Sequence, residues 1–162
     1  MMHLVAIVFG LGRLRPGPGT WGSLGALPLT WALHVLGGPW LVLIVALLLI
    51  PLGVAAAKAE MAATGDSDPS HVVIDEVVGQ MIALLPVTFG AWAMGAGVLA
   101  LWPGWIAAFV LFRLFDIWKP WLVGKLDARG DVWGLMADDI VAGVFAALVT
   151  ILFAGLAHGL LM

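Results

Sequence analysis

The sequence predicts an all-α fold of the polytopic membrane class, a helical bundle of about five spans preceded by an N-terminal interfacial helix. Two observations carry that expectation. Hydrophobic residues make up 63% of the 162 positions and charged residues only 10%, which leaves too little polar surface to solvate a globule of this size. Three stretches, 16–57, 77–112 and 140–162, contain no Asp, Glu, Lys or Arg. A helix crosses the hydrocarbon with about 20 apolar residues, so the last stretch holds one span and the first two hold two each. A chain of this length forms a single domain, residues 1–162.

In chain order, residues 1–12 read as an interfacial or partly inserted helix, because the apolar run Leu4 to Leu11 is short. Arg13 and Arg15 follow that run and no basic residue precedes it, so a cleaved secretory signal is not expected. Spans are expected at 20–36, 40–57, 76–101, 105–118 and 135–160. Gly37-Gly38-Pro39 separates the first two. The next outer turn is placed at Pro103-Gly104, with a turn among Gly90, Gly95 and Gly97 as the alternative, which lengthens the fourth span.

In this arrangement Arg13, Arg15, Lys58, Arg113, Lys119, Lys125 and Arg129 fall on one side, cytoplasmic by the positive-inside rule. All ten acids share that side. Trp40, Trp102 and Trp105 are expected at the outer interface and Trp21, Trp118, Trp121 and Trp133 at the inner one. The chain has no cysteine, which removes disulfides and thiolate nucleophiles. Its net charge of -3, without a basic stretch interleaved with aromatics, gives no support to nucleic-acid binding.

Three segments concentrate the ionisable residues beside the spans: Asp75-Glu76-Val77-Val78-Gly79, Arg113 to Pro120, and Asp138-Asp139-Ile140-Val141-Ala142-Gly143. A carboxylate in a membrane helix costs about 2.5 to 3.5 kcal/mol at the bilayer centre, so acids at a helix mouth face partners, water or an ion. Five of them gathered at one end, Asp75, Glu76, Asp116, Asp138 and Asp139, repel one another unless a divalent ion neutralises them. Oxygen ligands favour a hard ion such as Mg²⁺. The two acid pairs also read as the N-terminal ends of their helices, at the positive pole of the dipole. Arg113, Asp116 and Lys119 recur at three-residue spacing along one drifting helix face, a cation–acid–cation arrangement suited to phosphate bound beside a metal. Before the first span, Pro16-Gly17-Pro18-Gly19-Thr20-Trp21-Gly22-Ser23 reads as a turn feeding a helix, with Thr20 or Ser23 as its cap and exposed amides as an anion seat.

The bland readings stand beside these. The acid pairs are also what plain N-capping produces, and Arg13, Arg15, Lys58, Lys125 and Arg129 read as topology determinants. Asp66, Asp68 and Asp127 read as solvated loop acids. His3, His34 and His158 read as interfacial, without a second ligand at metal spacing, and His71 as a loop cap near Asp75. The many Gly and Ala residues, Ala142-Gly143 among them, read as close helix-packing positions.

Taken together, Pro18 to Ser23, Asp75 to Gly79, Phe112 to Trp121 and Gly134 to Gly143 resemble the phosphatidylglycerophosphatase A family over most of the chain and in order. The resemblance implies a membrane enzyme that removes the terminal phosphate of phosphatidylglycerol phosphate in phospholipid biosynthesis. It implies that Asp75, Glu76, Asp116, Asp138 and Asp139 form an acidic Mg²⁺ site at the cytoplasmic face of the bacterial inner membrane. Arg113 and Lys119 then address phosphate, with Thr20 and Ser23 nearby, and attack comes from water or from one of the carboxylates. Two departures stand out. Asp131-Val132-Trp133 precedes Gly134 where the family is glycine-paired, and the connection from Gly79 to Arg113 is longer. The rival readings are a small ion-coupled transporter, which expects charge deep in a span and polarity at the outer side, and a structural membrane protein.

Overall fold

The computed structural model describes residues 1–161, with side chains through Ala157, so the side chain of His158 lies outside the described residues. The described chain is helical, without strands: α1 Met2–Ala6, a 3₁₀ segment Val8–Arg13, α2 Pro18–Thr64, α3 Ile74–Ala93, a 3₁₀ turn Val98–Leu101, α4 Trp102–Trp118, α5 Leu122–Asp127 and α6 Val132–Leu161. Four helical units are long and apolar enough to cross a membrane: α2, α3, Val98–Trp118 and α6. The expectation of five separate spans plus an interfacial helix is therefore corrected.

The reasons are local. At the N-terminus, Val8, Phe9 and Gly10 have positive φ, which confines α1 to five residues and rules out an unbroken interfacial helix. The 47 residues of α2 are two helical arms joined without a loop: Gly37 (φ -152°) and Gly38 (φ 69°) are non-helical, and the second arm begins at once. A straight helix of that length measures about 70 Å. Both ends of α2 nevertheless reach the same end of α3, for Gly19 abuts Glu76 while Glu60 bonds His71, just before α3. The chain doubles back at the glycine pair.

Helix α3 ends at Ala93, and the turn that follows includes Gly95 (φ 61°), so of the two expected outer turns the glycine one forms. Pro103 sits in the first turn of α4, where its missing N–H costs nothing. Trp105 leaves the interface expected for it. It is buried, and its indole N–H donates to the Val98 carbonyl at 3.0 Å.

Helix α3 is the axis of the molecule. Leu84 and Val87 pack with Phe112 of α4 and Ala142 of α6; Val78 packs with Ala56 of α2 and Met136 of α6; Val77 and Met81 pack with Ala26 and Val42 from the two arms of α2. Large apolar side chains of the outer helices, such as Leu47, Leu48 and Leu152, are largely exposed, as expected of helices solvated by lipid.

Candidate active site

Helices α3 and α6 both begin at the charged end and cross at a pair of glycines. A Cβ on Gly143 would collide with the Gly79 carbonyl oxygen, and one on Gly79 would lie 2.6 Å from the Asp139 carbonyl oxygen. Only glycine permits this approach. Asp75 precedes Gly79 by four residues and Asp139 precedes Gly143 by four, so each acid stands on the same helix face as its glycine, one turn nearer the charged end. The crossing thereby sets the two carboxylates opposite each other.

Asp75, Glu76 and Asp139 each offer a carboxylate oxygen, and the three oxygens lie within 4.8 Å of one another. Asp75, Asp138 and Asp139 are buried. Asp75 Oδ1 accepts the Glu76 amide at 3.0 Å and Asp138 Oδ1 the Asp139 amide at 3.0 Å. Glu76 Oε2 and Asp139 Oδ1 are buried without a hydrogen-bond partner among the described residues. A buried carboxylate oxygen left in this state costs several kcal/mol unless a cation meets it. An all-oxygen donor set with spare lone pairs fits a hard divalent ion such as Mg²⁺.

These acids line a cavity of about 390 Å³ together with Asp116, Asp138 and Lys119 from the sequence-predicted set. Lys119, at the left-handed C-cap of α4 (φ 50°), bridges Asp127 and Asp138, the latter at 3.1 Å. Burial works to lower its pKa, but the two carboxylates outweigh that and hold it above the ordinary lysine value. Lys119 is thus a fixed positive charge. Arg113 is not among the cavity-lining residues. It pairs with Asp116 at 2.5 Å and lies 3.4 Å from Ser23 Oγ, so it grips Asp116 from behind.

The Pro18 to Ser23 segment packs at the back of the site. A Cβ on Gly19 would run into the Glu76 carboxylate. The cap of α2 is Gly17, with Pro18 in the first turn, rather than Thr20 or Ser23. Ser23 Oγ instead donates to the Gly19 carbonyl at 2.9 Å, and Thr20 is not among the cavity-lining residues. The reading of Asp138 and Asp139 as first-turn acids is also corrected. Helix α6 starts at Val132, and the pair lies nearly two turns in, beyond the reach of a capping role. Asp131 is what opens α6. Its Oδ1 accepts the Gly134 amide at 2.6 Å, and its carboxylate pairs with Arg129 at 2.8 Å, so an aspartate caps the start of the helix.

Several residues escaped the sequence reading. Asp68 and Asp127, read as solvated loop acids, line the cavity from its rim. Gln80 is fully buried with both amide atoms unpartnered among the described residues; the available signal was a polar residue in an apolar span, four after Glu76. A second cluster also went unseen. Glu60, near the end of α2, takes the His3 Nδ1 at 3.0 Å on one oxygen and the His71 Nε2 at 2.9 Å on the other. His3 and His71 are therefore neither isolated nor a simple loop cap, and only the fold brings residues so far apart in sequence together.

Sequence comparison places the chain among known proteins. A sequence model of phosphatidylglycerophosphatase A matches residues 4–154. The chain is 37% identical over 150 residues to the phosphatidylglycerophosphatase A of Haemophilus influenzae, covering 91% of this chain and 85% of that protein. It is 38% identical over 149 residues to the phosphatidylglycerophosphatase A of Escherichia coli K12, covering 90% and 78%. A Bacteroides thetaiotaomicron protein, provisionally named a phosphatidylinositol-3-phosphatase, is 36% identical over 148 residues, covering 88% and 87%. No solved structure is a significant match. With the family model spanning nearly the whole chain and two relatives above a third identical along most of their length, the chain belongs to the phosphatidylglycerophosphatase A family.

Proposed function

We propose that the protein is a Mg²⁺-dependent phosphatidylglycerophosphatase of the bacterial inner membrane. It hydrolyses the terminal phosphomonoester of phosphatidylglycerol phosphate at the cytoplasmic face. The single observation that carries the metal dependence is the pair of buried, unpartnered carboxylate oxygens on Glu76 and Asp139, beside Asp75. The orientation rests on the positive-inside rule: both ends of α2, the starts of α3 and α6 and the end of α4 meet at one end of the bundle, with Lys58, Arg113 and Lys119 at these ends.

A phosphomonoester carries a charge of about -1.5 to -2, and a cavity lined by carboxylates repels it. Asp75, Glu76 and Asp139 would hold Mg²⁺, which when bound neutralises that repulsion and polarises the phosphoryl oxygens. Lys119 supplies the permanent positive charge on the cavity wall and can exchange Asp138 for a phosphoryl oxygen without losing its proton. Arg113 orients Asp116 toward the cavity rather than meeting phosphate itself. Asp127 and Asp68 at the rim leave the mouth polar enough to admit water and release inorganic phosphate.

The test is phosphate release from phosphatidylglycerol phosphate in mixed micelles, with Mg²⁺ or with EDTA, for wild type and Asp139→Asn. Turnover is expected only for wild type with Mg²⁺. Undiminished turnover in EDTA removes the metal from the proposal. Phosphatidylinositol 3-phosphate, the substrate class in the provisional name of the Bacteroides relative, is the competing lipid to run in parallel, and a preference for it would overturn the substrate assignment.

A further inference from the structure

A second concavity lies on the other side of the wall that carries Lys119. It has a volume of about 350 Å³ and is lined by apolar surface alone, from Phe115, Trp118, Pro120 and Trp121 on one side and Phe145 and Leu148 on the other. The same short segment of chain builds both spaces. Asp116 and Lys119 line the acidic cavity, while Phe115, Trp118, Pro120 and Trp121 line the groove. Helix α6 does the same along its length, giving Leu135, Asp138 and Asp139 to the cavity and, farther from the charged end, Phe145 and Leu148 to the groove.

The turn that separates the two spaces is conformationally costly. Lys119 (φ 50°) and Trp121 (φ 41°), on either side of Pro120, both have positive φ without being glycine. Such residues persist where the surroundings over-determine them, commonly at ligand sites. Here the conformation serves both spaces, sending the Lys119 ammonium to Asp138 and leaving Trp118 and Trp121 largely exposed at the groove's lip. Phe115 and Phe145 meet edge to face at 5.9 Å and join α4 to α6 at the groove.

We propose that this groove seats one acyl chain of the phospholipid whose phosphate occupies the acidic cavity. The proposal rests on the phosphatase reading above and adds a binding site to it. Other apolar surfaces of the bundle are wetted by bulk lipid, but this one shares a wall with the phosphate cavity. A lipid held there has its headgroup on the Lys119 side and its hydrocarbon on the Trp118 side of a single turn. The groove's walls are Trp, Phe and Leu, the apolar and aromatic lining usual for ligand clefts.

The test is a ratio: kcat/KM for a dioleoyl phosphatidylglycerol phosphate divided by kcat/KM for its dibutyryl counterpart, both in mixed micelles with Mg²⁺. A ratio is indifferent to the fraction of enzyme that is folded. Leu148→Trp, which fills the groove, is expected to lower it about tenfold, the equivalent of roughly two methylenes of lost burial. Leu148→Ala, which cannot block the fold by bulk, is expected to lower it about threefold. Leu47→Trp, an equally lipid-facing site on α2, is expected to leave it within about twofold. A ratio unchanged in both Leu148 variants, or lowered equally by Leu47→Trp, means the groove holds bulk lipid and overturns the proposal. Phosphate release from neither lipid by wild type overturns instead the phosphatase reading beneath it.

Discussion

Two groups of three ligand-bearing side chains lie at the charged end of this bundle, and they differ in whether their bonding capacity is closed. Asp75, Glu76 and Asp139 converge from α3 and α6, with Glu76 Oε2 and Asp139 Oδ1 buried and unpartnered among the described residues. His3, Glu60 and His71 converge just as closely, from α1, α2 and the loop before α3, and there both Glu60 oxygens and both His3 ring nitrogens are engaged. The Arg13 guanidinium reaches His3 Nε2 at 3.0 Å. A guanidinium only donates, so Nε2 accepts and the His3 proton sits on Nδ1, where it is given to Glu60. His3 has no lone pair left for a metal, and a positive charge already stands beside it. Proximity of ligands is thus a poor criterion for an ion site; open valence is a better one.

The largest effect expected from this contrast is on turnover. Asp139→Asn keeps the size of the side chain and removes its charge, and phosphate release should fall by about a thousandfold or more, as losses of metal-centred electrostatic stabilisation do. Glu60→Gln, an equally conservative change in the closed cluster, should leave turnover within about threefold. Equal losses in the two variants would erase the distinction between the clusters. Next in size is the response of stability to metal. Mg²⁺ at about a hundred times its dissociation constant should stabilise wild type by about 2.7 kcal/mol, read as a rise in Tm in detergent. The rise should vanish in Asp139→Asn and persist in Glu60→Gln.

A smaller effect is expected of the closed cluster itself. It ties the N-terminal helix and the loop before α3 to the end of α2, and that loop lines the cavity through Ser67, Asp68 and Ser70. Hydrogen bonds to a charged group contribute about 1.5–3 kcal/mol, so Glu60→Ala should lower stability by roughly that amount, measured by thermal unfolding without Mg²⁺. If His3→Ala and His71→Ala each reproduce the Glu60→Ala loss, the carboxylate clamp acts as a unit.

What the sequence disclosed follows from the range of each interaction. The membrane class was legible because it is a property of composition, and the acidic residues were legible because charge beside an apolar span is costly wherever the helices go. The pairing of Asp75 with Asp139 was half-legible, since each carries a glycine four residues on, a signature of close crossing that names no partner. The clamp was not legible, because Glu60, His3 and His71 are unremarkable until the hairpin at Gly37-Gly38 brings α2 back. Helix boundaries failed for a similar reason. The reversal at Gly37-Gly38 falls where the sequence places it but leaves no loop between its two helical arms, and an aspartate cap at 131 starts α6 a turn earlier than the apolar pattern does.

That cap supplies the smallest expected effect and a way to separate capping from metal binding within one cavity. Asp131 lines the cavity but is engaged on its own side, by the hydrogen bond from Arg129 first and by the Gly134 amide next, and together they hold its carboxyl below the usual aspartate range. A depressed folded-state pKa contributes stability that is present above the unfolded value, about 3.9, and is lost as pH falls through the folded value. The Tm difference between wild type and Asp131→Ala should therefore be small at neutral pH and narrow further below about pH 4. Asp131→Asn, which can still cap the helix, should recover most of the neutral-pH difference and show little of the acid dependence. If Asp131→Ala instead lost the Mg²⁺-dependent rise in Tm, as Asp139→Asn is expected to, Asp131 would belong with the open carboxylates and the line drawn between closed and open groups would have to move to include the rim of the cavity.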